Sequence, residues 1–132
     1  MIQENKQLLL KDLCARQPWG VKVQYNNKVY AIDYVSAGYE EVKLDILDNY
    51  TIGISDIKPY LRPMSSMTEE EGIEYLTIDN RAYTCPLDYA HILASDRIDW
   101  LNAHHFDYQG LIPKGLAIKV NKENNPYENI NL

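Results

Sequence analysis

Four short segments of alternating apolar and polar residues, each closed by turn-forming residues, constrain this chain most. Lys22-Val23-Gln24-Tyr25 is followed by Asn26-Asn27, and Lys28 to Val35 places Tyr30, Ile32 and Tyr34 on one face before Ser36-Ala37-Gly38. Glu41 to Leu47 alternates through Val42, Leu44 and Ile46, and Asp48-Asn49 then leads into Tyr50-Thr51-Ile52-Gly53-Ile54. A side-chain period of two with Asn-Asn and Gly-containing breaks predicts a β-meander whose first pair is a tight hairpin. Strands this short cannot bury both faces in a flat sheet. The expectation is a four-stranded antiparallel SH3-like partial barrel that curls or packs against helices.

Helical signals flank the meander. Leu9, Leu10, Leu13 and Cys14 share neighbouring turns between Gln3 and Arg16, which predicts a short amphipathic helix ended by Pro18 and Gly20. Asp56 to Pro63 contains two prolines and reads as one 3₁₀-like turn with an extended exit. Ser66 with Glu69, or Thr68 with Glu71, forms a capping box for a helix reaching about Leu76, and the acidic run stands at the positive end of its dipole. Cys85-Pro86 opens a further helix, either continuous to about His105 or split by a cap at Ser95-Asp96. Leu111 to Gly115 is a compact turn, Leu116 to Val120 a short final strand, and the Asn-rich tail from Asn121 is expected to fray. The reading is one α+β domain over 1–132: a β-rich half over about 18–63, a helical half over about 64–120, and a tail over 121–132.

Charge and composition narrow the partners. The net charge of −6 falls wholly on residues 64–132, which carry five Lys/Arg against eleven Asp/Glu, while residues 1–63 balance at eight and eight. No basic cluster is present to neutralise phosphates, so nucleic acid is not an expected partner. Three consecutive leucines near the N-terminus fall far short of a signal peptide or a membrane span, so no membrane association is expected. Cys14 and Cys85 show neither disulfide-framework nor zinc spacing, which points to a cytoplasmic setting. Eleven tyrosines stand against one phenylalanine, a bias suited to half-buried strand faces and recognition surfaces.

Two stretches are more specific than composition explains: Asp56-Ile-Lys-Pro-Tyr-Leu-Arg-Pro-Met-Ser-Ser-Met-Thr-Glu-Glu-Glu71 and Asp99-Trp-Leu-Asn-Ala-His-His-Phe-Asp-Tyr-Gln-Gly-Leu-Ile-Pro-Lys-Gly-Leu-Ala117. They resemble a family of small uncharacterised proteins abundant in gut Bacteroides-type bacteria, their prophages and their phages. Relatives commonly carry Arg where this chain has Gln109, and a Pro-Gly-containing tail where it has Lys119-Val120-Asn121-Lys122. The resemblance implies a mobile-element context and no catalytic residue.

The remaining candidates are chemical. His104, His105 and Asp107, with His91 upstream, form the best metal cluster, but adjacent helical histidines diverge by about 100°. The two histidines read instead as C-terminal cations or caps. Cys85 at a helix start is a candidate nucleophile that would pair with His91 or His104 and need an orienting group such as Asp88 or Asp107. Gly110 to Gly115 lacks the Gly-Lys-Ser/Thr ending of a phosphate loop, and no cofactor is implied. Glu69, Glu70, Glu71, Glu74 and Asp79 would form an acidic nucleic-acid mimic only if their carboxylates line one face. The leading expectation is a non-enzymatic phage or prophage accessory protein that binds another protein through Trp19, Tyr30, Tyr34 and Tyr60. An enzyme or metal-binding protein and an acidic mimic are the alternatives.

Overall fold

The computed structural model describes residues 1–45, 50–84, 87–130 and 132, and the side chains of all of these except 79–84 and 87–94. It is an α+β fold with an N-terminal helix and a mixed sheet. Helix α1 spans Gln3–Arg16 and buries Leu9, Leu10 and Leu13 against the sheet; Gly20, at φ +75°, ends the 3₁₀ turn that follows. Strands β1 (Lys22–Tyr25) and β2 (Lys28–Ser36) form the expected hairpin. Asn26 and Asn27 both take left-handed φ values, +49° and +62°, which matches the turn to the twist of its strands. Strand β3 (Glu41–Leu44) pairs with β2 across an irregularity between Ile32 and Tyr34, and β4 (Ile52–Gly53) pairs with β3.

Here the structure corrects the expectation. Among the described residues the sheet has six strands, the four of the meander, the expected final strand and one not foreseen, in the order β4-β3-β2-β1-β5-β6, and it is open, with β4 and β6 as its edges. The 3₁₀ turn falls at Ile54–Asp56, and the extended exit is itself a strand, β5 (Lys58–Leu61), antiparallel to β1. Strand β6 (Ile118–Lys119) lies parallel to β5, so the sheet is mixed. The supposed border at Pro59 to Pro63 therefore runs through shared structure. Leu111, Leu116 and Ala117 from the second half lie in the same apolar core as Val23, Val42 and Ile57 from the first.

Helix α2 (Glu69–Thr84) extends past Leu76, and α3 (Leu87–Ala103) runs unbroken through Ser95-Asp96. The proposed start at Cys85-Pro86 lies outside the described residues. Thr68 and Glu71 form the capping box: the Glu71 amide donates to Thr68 Oγ1 at 3.1 Å, and the Thr68 amide to Glu71 Oε1 at 2.9 Å.

The tail is packed, contrary to the fraying expected of it. Tyr127 and Ile130 are buried with Tyr60 and Val120, and the asparagines tie local turns, Asn121 Oδ1 accepting from the Glu123 and Asn124 amides. The β1–β5 register pairs Val23 with Pro59 and Gln24 with Lys58, so the next pair is Lys22 and Tyr60. Between those two residues sits the Tyr127 hydroxyl. It accepts from the Lys22 amide at 3.1 Å and donates to the Tyr60 carbonyl at 2.6 Å. A side chain thus completes a strand pairing that the backbones leave open.

Candidate functional site

The candidate site is built where α3 ends. The His105 amide donates to Asn102 O at 3.1 Å and the Phe106 amide to Leu101 O at 3.0 Å, the paired bonds of a Schellman motif. The residue that turns left-handed in such a motif is usually glycine, yet here it is His105, at φ +63°. Holding a side chain in that conformation costs about 1 kcal/mol. The imidazole is 3% exposed and stacks on Tyr127, with centroids 3.7 Å apart and planes 8° apart.

Two arginines without solvent exposure converge on the same turn. The Arg62 amide donates to His105 O and the Asp107 amide to Arg62 O, both at 2.8 Å, which ties the turn to the end of β5. The Arg62 guanidinium lies 4.1 Å from the Phe106 ring centroid and grips Glu71 with two parallel bonds of 2.8 and 2.7 Å. Those bonds, more than any other influence, hold the Glu71 carboxyl down at about 2. Arg16, at the end of α1, donates to Asp12 Oδ2 at 2.7 Å and to Phe106 O at 2.5 Å. Burial dominates at Asp12 and raises its pKa against the pull of Arg16. Residues of the segments 56–71 and 99–117 meet at this junction, which joins α1, β5, α2 and α3.

Each sequence candidate can now be placed. Asp107 spends both oxygens on the Leu111 and Ile112 amides, at 2.8 and 2.9 Å, and fixes the compact turn. His104 Nδ1 lies 2.9 Å from Trp100 O, and its ring stacks on Trp100 at 4.0 Å. Burial first, then the charges of Arg16, His104, Arg62 and Lys22, lower the His105 pKa to about 4, so it caps the helix as a neutral ring and not as the expected cation. Among the described residues no group of three or more His, Cys, Asp and Glu could hold a metal ion. Cys85, and the side chains of His91, Asp88 and Asp79, lie outside the described residues. Of the acidic run, Glu71 binds Arg62 and Glu74 accepts from Trp100 Nε1 at 2.9 Å. Gln109 donates to Asp12 Oδ1 at 3.3 Å.

The proposed contact residues do not form one surface. Tyr60 is buried, 5% exposed, which takes its ring out of a docking face, and Tyr30 packs half-buried beside Tyr25. Trp19, 42% exposed, stands beside a cleft of about 320 Å³ that is also lined by Lys22, His105, Tyr127, Glu128 and Asn129. Tyr34, 49% exposed, instead shares a depression on the β2–β3–β4 side with Lys43, Tyr50 and Thr51. Tyr50, 52% exposed, lines the same depression and was not among the sequence candidates, since alternation assigned it only to a strand. No helix among the described residues is long and apolar enough to cross a membrane. No family model, no curated protein and no solved structure matches this chain.

Proposed function

We propose that this chain is a non-catalytic accessory protein of a phage or prophage that works by binding another protein. The observation that carries the reading is the pair Tyr34 and Tyr50, each about half exposed and lining one depression beside Lys43 and Thr51. Tyrosine contributes large contact area with little conformational entropy to lose, and exposed pairs of this kind suit interface anchors. Tyr39, in the turn between β2 and β3, is a further exposed aromatic side chain.

The first five strands support an SH3-like assignment without closure. Their order, β4-β3-β2-β1-β5, is antiparallel throughout, and a 3₁₀ turn separates β4 from β5, as in SH3-like units. The mobile-element context rests on the resemblance alone. The free, exposed thiol of Cys14 is compatible with a reducing cytoplasm.

Affinity capture from host cells at raised salt tests the reading, with a Tyr34→Ala/Tyr50→Ala variant run in parallel. A protein held by the parent chain and lost by the variant supports it. Identical capture by both would remove this surface from the proposal.

A further inference from the structure

The cleft at the end of α3 contains features that the junction itself does not require. His105 keeps a side chain where a left-handed helix end ordinarily takes glycine, and its buried Nδ1 finds no hydrogen-bond partner. A neutral imidazole enclosed near Arg16 and Arg62 is best arranged with its lone pair on Nδ1 and its proton on Nε2. Since Nδ1 is inaccessible, the opposite edge of the ring, with Nε2–H, is left to line the cleft.

Lys22 lines the same cleft, and since its backbone amide is committed to Tyr127, its side-chain ammonium is the donor it has to offer a ligand. Trp19 supplies a flat apolar face at the rim. Glu128 also lines the cleft and is exposed, so solvent screening weakens its repulsion of a bound anion. A volume of about 320 Å³ is at the small end of ligand sites.

We propose that this cleft binds the carboxylate of a small ring-bearing acid, with Lys22 and His105 as donors and Trp19 as the stacking face. The acid can be free or can be the C-terminal residue of a polypeptide, because both present the same group.

The test is a titration of the full-length protein, followed by ¹H–¹⁵N spectra, with N-acetylphenylalanine, its uncharged amide, and a tetrapeptide ending in phenylalanine with a free carboxylate. The Trp19 indole resonance should move with the acid and stay still with the amide. The Trp100 indole, bonded to Glu74, is the internal reference. Lys22→Met, which keeps the backbone bond to Tyr127, should weaken binding at least about tenfold. His105→Asn tolerates the left-handed backbone and should weaken it comparably. Binding of the tetrapeptide as well as N-acetylphenylalanine assigns the site to chain termini; binding of N-acetylphenylalanine alone assigns it to free acids. Equal shifts with acid and amide, no shift up to about 10 mM, or unchanged binding in Lys22→Met overturns the proposal.

Discussion

Arg16 and Arg62 are both sealed from water, yet their carboxylate partners respond in opposite directions. Arg62 meets Glu71 through two parallel bonds while Glu71 keeps some contact with solvent, and its pKa falls. Arg16 meets Asp12 through one short bond with neither side chain exposed, and burial raises the Asp12 pKa. An ion pair favours its charged form when geometry is bidentate and desolvation incomplete; with full burial, desolvation wins. Arg62 also donates to Ser66 O and His104 O, so it locks the start of α2 to the end of α3, whereas Arg16 reaches beyond its own helix with one bond, to Phe106 O, and lies over the Tyr108 ring.

Removing one guanidinium should break this comparison most sharply. Arg62→Ala leaves Glu71 without its partner and a cavity beside Phe106, and is expected to lower unfolding free energy by about 3–5 kcal/mol in urea titration.

Acid should separate the pairs next. In the unfolded chain His105 takes up a proton near pH 6.5, but in the fold only near 4, so its contribution, about 3 kcal/mol, is complete above 6.5 and lost as pH falls toward 4. Glu71 contributes above about 4.5 and loses that contribution as pH falls toward about 2. Asp12, with its raised pKa, binds its proton more readily folded than unfolded and opposes these losses. Stability measured against pH should show a limb between 6.5 and 4 that His105→Asn flattens, and a lower limb that Glu71→Gln flattens.

The smallest effect is expected from replacing the Arg16 pair with apolar residues. Asp12→Leu/Arg16→Met should change unfolding free energy by no more than about 1–2 kcal/mol, because Phe106 O keeps its bond from the Tyr108 amide. A loss as large as that of Arg62→Ala would show that the two pairs are equivalent.

Much of this was legible from spacing, and the limits have physical causes. Local chemistry announced the Asn26-Asn27 turn, the Thr68–Glu71 box and the end of α1 at Pro18 and Gly20. Strand β5 was hidden because Pro59 reads as a breaker, although its neighbours pair on both sides of the sheet. The arginine junction was hidden because burial of Arg16 depends on a carbonyl 90 residues away. Asparagine-rich composition disguised the tail, where Tyr127 and Ile130 outweigh their polar surroundings. Of the four expected contact residues, Trp19 and Tyr34 are exposed, while Tyr60 is buried and Tyr30 partly buried; residue type does not say in which direction the fold turns a ring.

The hydroxyl of Tyr127 gives the sheet a built-in reporter. Proton exchange at the Lys22 amide requires that hydroxyl to leave, so this amide records undocking of the last turn of chain. If Lys22 exchanges with the core amide of Val23, the tail and the sheet open as one cooperative unit; if it exchanges sooner, the C-terminus opens as a separate latch over the β1–β5 seam.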